Sequence, residues 1–267
     1  MIHREEKMSR LGWSGNTWEV SAERVSLVRD SRIARVVEVG TDSQVVELDL
    51  SAAALIVVDM QNDFCSLGGW LDHIGVDVRE PSGLVPKINR VTTALRTMEV
   101  PIIWLNWGNR ADRANLPPGV LHVYNPDGES TGIGDPLPHS GSAVLQRGSW
   151  SAAPVDELVR ADNDIRVDKY RMSGFHDTEL DGILRNLHVT TVLFAGVNVD
   201  QCVYSTLIDA ASLGYDVILL RDCSATTSPS FCSEATYYNV VQCFGFVACG
   251  VSIIEAINAK FGAGGRV

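Results

Sequence analysis

Seven consecutive residues, Ala53-Ala54-Leu55-Ile56-Val57-Val58-Asp59, constrain this chain more than any others. Six are apolar without interruption and the seventh is a carboxylate. A strand with one wet face alternates apolar and polar residues. An unbroken apolar run instead marks a strand covered on both faces, as in a parallel sheet flanked by helices. Such a strand here delivers an ionisable side chain to its carboxyl end.

The rest of the chain from residue 53 keeps to that architecture. Leu84, Ile88, Val91, Leu95 and Met98 recur at alternating steps of four and three, which draws one apolar stripe on a helix. Pro101 to Leu105 predicts a second buried strand, and Ile165 to Lys169 a third that ends in lysine. Leu180, Ile183, Leu184 and Leu187 form another helical stripe, followed by the strand Thr191 to Val197. A helix is predicted from Asp200 or Gln201 to Gly214, a residue suited to the position after a helix end. Asp216 to Leu220 is the next strand; a helix over 231–243, a strand Phe244 to Ala248 and a terminal helix follow. The Gly-, Pro- and Asp-rich stretch 108–163 reads as loop, with a short helix near 152–160. This alternation predicts an α/β fold: an open, doubly wound, Rossmann-like and mainly parallel sheet of about six strands, with helices on both faces. In such sheets ligands collect outside the carboxyl ends of the strands.

Residues 1–50 differ. They carry many charges and one weakly alternating stretch, Val37 to Leu50, broken at Gly40-Thr41. They predict an extended N-terminal arm that packs on the core or on a neighbouring subunit, with 51–267 forming the main domain.

Composition removes several classes of function. Lys and Arg total 22 against 33 Asp and Glu, a net charge of −11 that repels phosphate backbones, so nucleic acid is a poor partner. The longest clean apolar run is far short of the roughly 20 residues that a membrane helix needs. MIHREEKMSRLG has no apolar segment after its charges, which predicts a cytoplasmic protein rather than an exported one. The six cysteines, at 65, 202, 223, 232, 243 and 249, form no C-x-x-C pair and no zinc-ligand spacing with His; reduced thiols are expected. No G-x-G-x-x-G follows a strand, which disfavours a nucleotide-dependent oxidoreductase.

Three reactive residues fall on the ligand-binding edge. Asp59 ends the first core strand, Lys169 ends the third, and Cys202 lies just past the fourth at a helix start. Singly, they read equally well as an N-cap, a solvated charge and a buried helix residue. Jointly they make a nucleophile, a carboxylate and a cation on one edge. A thiol in the first turn of a helix sees the positive end of the dipole, which lowers its pKa, and a nearby lysine reinforces this. An aspartate in reach can take the thiol proton and return it to a departing nitrogen.

The segments Val58-Asp59-Met60-Gln61-Asn62-Asp63-Phe64, Asp168-Lys169 and Gly196-Val197-Asn198-Val199-Asp200-Gln201-Cys202-Val203 resemble those of the isochorismatase-like cysteine hydrolases, in the same order, over about residues 53–258. The resemblance implies a catalytic triad of Asp59, Lys169 and Cys202, a cis peptide at Val197–Asn198, and an oxyanion hole made by the N–H groups of Asn198 and Cys202. It also implies a homo-oligomer, dimer or tetramer. Metal-dependent nicotinamidases of this family carry an Asp-Trp-His-like motif after the second strand. The stretch Asn106-Trp107-Gly108-Asn109 has neither its His nor its carboxylate, so no metal or other cofactor is expected.

Asp63-Phe64-Cys65, Gly68 to His73 and Gly132-Ile133-Gly134-Asp135-Pro136 are similar to the branch that hydrolyses biuret, triuret and ureidoacrylate. This implies a small ureide or amide as the molecular partner, with Phe64, Asn106, Arg171 and Gln242 as candidate substrate contacts. Gln242 suits a carbamoyl group, since a primary amide both donates and accepts; Arg171 and Arg110 are the candidate cations for an anionic ureide. The alternatives are a nicotinamidase-like amidase, an isochorismatase, or a non-catalytic binding protein on the same fold.

Overall fold

The computed structural model describes residues 8–13, 15–29 and 32–262. Up to residue 50 the chain has too few apolar positions for a core of its own and forms two small antiparallel sheets. β1 (Ser9–Trp13), β2 (Asn16–Val20) and β3 (Val25–Ser26) make one that is largely exposed. The side-chain amide of Asn16 donates to the Asn186 carbonyl at 2.9 Å, and Arg32 donates to the carbonyls of Ser51 and His188. β4 (Val36–Gly40) and β5 (Val45–Asp49) form a hairpin whose Val37, Val39 and Leu48 are buried. Beyond its turn, the Asp42 N–H donates to the Val247 carbonyl at 2.9 Å and Thr41 bridges to Ala248. The hairpin thereby covers an edge of the main sheet that would otherwise expose backbone groups.

That sheet consists of β6 (Ala53–Val58), β7 (Ile102–Trp107), β8 (Ile165–Lys169), β9 (Thr191–Gly196), β10 (Asp216–Ser224) and β11 (Phe246–Ala248). It is six-stranded, in the order β11-β10-β9-β6-β7-β8, and every pairing is parallel. β6 and β7 are buried along their whole length, as their apolar runs require. The helices are α1 (Asn62–Cys65), α2 (Trp70–His73), α3 (Arg79–Ser82), α4 (Val85–Thr97), α5 (Pro118–Tyr124), α6 (Leu180–Asn186), α7 (Tyr204–Ser212), α8 (Ser230–Asn239) and α9 (Gly250–Phe261). α4 buries Val85, Ile88, Val91 and Leu95 and packs on α9, which also supports β4.

The strand order locates the functional edge. The chain lays down β6, β7 and β8 outward in one direction, then returns to place β9 on the other side of β6 and proceeds to β11. The order reverses between β6 and β9, so their connections leave in opposite directions and open a crevice at the carboxyl ends.

Some local expectations fail for identifiable reasons. No helix forms over 152–160: the Asn62 N–H donates to the Ala153 carbonyl, the Val155 N–H to the Met60 carbonyl, and Gln61 bridges to Pro154. Those backbone groups are spent on holding the segment that follows β6. α5 forms inside the stretch expected to be loop, with Pro118 at its first turn, where a missing N–H costs nothing. The helix expected at Asp200 begins as a wider π-helical turn, Val199–Val203, before α7; α8 likewise ends in one, Val240–Phe244. β10 extends past Leu220 to Ser224, with an irregularity after Leu219.

Candidate active site

Asp59 follows β6 directly, with φ at 49° and its N–H donating to the Leu105 carbonyl at 2.8 Å. Aspartate tolerates this left-handed conformation better than most residues. Lys169 ends β8, two strand positions away from β6 in the sheet. Strands lie about 4.8 Å apart, so its side chain crosses roughly 10 Å over the end of β7. The crossing is made over Trp107, the last residue of β7: Nζ lies 4.6 Å from the ring centroid. Beyond it, Nζ meets Oδ2 of Asp59 at 2.8 Å. Both side chains are excluded from solvent, at 0% and 1% exposure.

Cys202 completes the cluster from the other side of the crevice. β9 ends at Gly196, whose φ of 109° and close approach to Val58 admit no side chain. The Val197–Asn198 peptide after it is cis. The chain then enters the π-helical turn, which places the Cys202 thiol against both Lys169 and Asp59. The Asn198 N–H has no acceptor among the described residues. The Asn198 side chain is fixed: its amide donates to Thr227 Oγ1 and its Oδ1 accepts the Thr227 N–H, both at 3.2 Å.

Burial dominates the electrostatics. It pushes the Cys202 thiol up to about 12, with the ammonium of Lys169 opposing and the carboxylate of Asp59 adding. The helix-start position therefore does not leave a free thiolate, contrary to the sequence-based expectation; desolvation outweighs a dipole effect of about 1 kcal/mol. For Lys169 burial acts downward, but Asp59 and Cys202 outweigh it and hold the ammonium above its usual range. The resting cluster is thus a neutral thiol beside a buried ion pair.

A cavity of about 110 Å³ opens onto Cys202. Phe64, Trp70, Trp107 and Tyr124 supply aromatic walls, Leu71 and Leu145 aliphatic ones, and Asn198, Gln201 and Thr227 the polar positions. The loops are tied down by carboxylates and amides rather than by regular structure. Asp63, fully buried, accepts the Trp70 N–H at 3.0 Å and the Leu145 N–H at 2.7 Å. Gln61 accepts the Trp107 N–H at 2.8 Å and donates to the carbonyls of Trp107 and Ala152.

Of the candidate substrate contacts, the structure brings only Phe64 to the cavity. Asn106 is buried in β7 but does not line it; strand side chains alternate, and it is Trp107 that does. Arg171 donates to the carbonyls of Asn115 and Tyr170 and stacks on the Tyr170 ring at 4.9 Å. Arg110 is exposed and paired with Asp112. Gln242 is exposed: Val240 is the buried residue of that π-helical turn, and the residue two positions further lies on the side facing away from the core. Sequence reasoning missed Trp107, Tyr124 and Met172, whose sulfur lies 3.6 Å from Cys202 Sγ. Tyr124 ends the short helix α5 and Met172 lies in the connection after β8, and neither carries a periodic signal. Among the described residues no group of three His, Cys, Asp or Glu side chains is placed to hold a metal.

The class defined by this fold and cluster is a parallel α/β protein with a buried acid–base–thiol set at its topological switch point. The chain belongs to the isochorismatase family: the family's domain model matches residues 53–250. It is 35% identical to ureidoacrylate amidohydrolase RutB of Stutzerimonas stutzeri over 219 residues, covering 81% of this chain and 86% of that one. Its identity to the protein of the same name from Agrobacterium fabrum is 34% over 212 residues, covering 77% and 92%. A cysteine hydrolase of Pseudomonas syringae pv. phaseolicola superposes with a TM-score of 0.67 at 25% identity, over 79% of this chain and 95% of that one.

Proposed function

We propose that the chain is an amidohydrolase that uses Cys202 to cleave a C–N bond, other than a peptide bond, in a small ureido or carbamoyl compound. The observation that carries this is the buried Lys169–Asp59 pair at 2.8 Å, set against a thiol that lines a small, largely aromatic cavity. The amidohydrolase names of the relatives support the reaction class. A thiol held near 12 is a poor nucleophile until its proton is removed, and Asp59 is the base in contact. Sγ attacks the carbamoyl carbon as the proton moves to Asp59. The N–H groups of Asn198 and Cys202 hold the oxyanion. Collapse of the tetrahedral intermediate breaks the C–N bond, with the Asp59 proton transferred to the departing nitrogen. Water, deprotonated by Asp59, then cleaves the S–carbonyl bond and regenerates the thiol. Lys169 keeps Asp59 oriented and balances the charge that appears on sulfur.

The reading extends to a self-associating chain working in a reducing compartment, where its cysteines, none of them disulfide-bonded, stay as thiols. Ammonia release from biuret, triuret, ureidoacrylate, nicotinamide and simple amides tests the reaction class. Turnover of at least one ureide, abolished by Cys202→Ala, is expected. Release of ammonia undiminished in that variant overturns the role of the thiol, and no hydrolysis of any of them overturns the reading.

A further inference from the structure

Whether the substrate carries a charge is decided by what surrounds it. The cavity wall holds four aromatic rings and two leucines, and its polar positions are amides and a hydroxyl. No Lys or Arg lines it among the described residues. The single cation beneath, Lys169, is already neutralised by Asp59, so the floor is net neutral. The arginines of the neighbouring loops are engaged elsewhere and none lines the cavity: Arg171 is held on two carbonyls and the Tyr170 ring, Arg110 on Asp112, Arg113 on Asp135 and Arg147 on Asp168. A carboxylate entering this cavity loses its water and meets only dipoles, which compensate an isolated charge poorly. The chain's net charge of −11 adds a repulsive field on approach.

We infer that the cavity takes an uncharged carbamoyl compound, small and planar or apolar beyond the carbamoyl group, and rejects a carboxylate. The inference rests on the proposed amidohydrolase reading for which bond is cut, and on the cavity alone for what is bound. The volume sets the size: about 110 Å³ is well below the roughly 300–1,000 Å³ of pockets that hold drug-sized ligands. The aromatic faces suit a planar, delocalised group such as a ureide, and neutral amides and hydroxyls can pair with its N–H and C=O.

The test uses three probes: 3-ureidoacrylate, its methyl ester, and biuret as a small neutral reference. Binding is read on the Cys202→Ala variant by titration calorimetry, with the change in intrinsic tryptophan fluorescence, to which Trp70 and Trp107 of the cavity wall contribute, as a second signal, and turnover on the unaltered chain. The ester is expected to bind, and to be turned over, better than the acid at pH 7.5 by about tenfold or more. Binding of the acid should improve as pH falls toward the carboxyl range near about 4. An acid that binds as well as its ester overturns the inference, as does failure of both the ester and biuret to bind at millimolar concentration. Neutral-selective binding without hydrolysis of any probe upholds the inference and removes the amidohydrolase reading instead.

Discussion

Nζ of Lys169 reaches Oδ2 of Asp59 at 2.8 Å although β7 lies between their strands, and neither side chain touches solvent. Two charges in so dry a place are stable only as a pair, because each alone carries a desolvation cost that its partner offsets. Lys169→Met and Asp59→Asn should each lower unfolding free energy by about 3–5 kcal/mol, by leaving one buried charge unpaired. The double variant should recover much of that loss while remaining inactive. Urea unfolding of the four proteins forms a double-mutant cycle, and losses that simply add would show that the pair is not coupled.

The thiol beside that pair is buried and held near 12, whereas Cys243 is exposed. Iodoacetamide at pH 7.5 should therefore label Cys243 well before Cys202, since only the thiolate is alkylated readily. Mass mapping of the first labelled site checks this. Cys202→Ser should reduce turnover of the ureide substrate by about 10³-fold or more while leaving the urea midpoint nearly unchanged.

Alkaline stability follows from the same burial. Cys65, Cys202 and Cys223 are each held above the ordinary thiol range, chiefly by desolvation. A group with a raised folded-state pKa contributes stability that is fully present below its unfolded pKa, about 8.5 for a thiol, and is lost as pH rises through the folded value. Each such thiol should cost up to about 1.4 kcal/mol per pH unit above pH 9. Unfolding free energies at pH 8 and 10.5 should fall steeply, and less steeply in Cys202→Ala. Equal slopes in the two proteins would mean that this thiol titrates normally in the folded state.

Metal dependence is a separate matter of donors. Trp107 ends β7 and Gly108 follows it, and no three metal-binding side chains converge among the described residues. Dialysis against chelator should leave kcat/KM unchanged, and added zinc should not raise it. A loss on chelation that zinc or iron reverses would contradict the donor geometry.

What could be read from the sequence follows from where burial imposes a period. The run Ala53 to Val58 announces a doubly covered strand because both of its faces are sealed, and the stripe Leu84 to Met98 announces α4 because one face is. Asp59, Lys169 and Cys202 could be placed on one edge because strand ends in a parallel sheet share an edge. The cavity wall could not. Trp70 starts the one-turn helix α2 and Leu145 lies in a loop, both held by Asp63, and Tyr124 ends the short α5; elements so short leave no periodic trace. Gln242 looked suitable by residue type, but its orientation depends on a π-helical turn that adds residues to the helical repeat. The thiol's ionisation was misjudged because a sequence displays dipoles and charges but not desolvation.

Gly196 offers the sharpest test of how the crevice is built. It has φ at 109°, and a Cβ there would stand 2.1 Å from the Val58 carbonyl oxygen and 2.7 Å from the Val58 nitrogen. Gly214 also has positive φ, 93°, but a Cβ there would meet nothing within 4 Å. Alanine at Gly214 therefore carries conformational strain alone, about 1–2 kcal/mol. Alanine at Gly196 carries that strain and must also push β9 away from β6, at the point where Asp59 and the Asn198–Cys202 turn face each other. Gly196→Ala should lose at least about 2 kcal/mol more than Gly214→Ala, because displaced backbone breaks packing and hydrogen bonds together. Its kcat should collapse while Gly214→Ala stays close to the unaltered protein, since a displacement of about 1 Å at reacting groups costs some 10²-fold. Measuring urea stability and kcat on both variants separates strain from spacing. Equal stability losses with kcat preserved in both would show that the close approach of Gly196 to Val58 does not set the distance between Asp59 and Cys202.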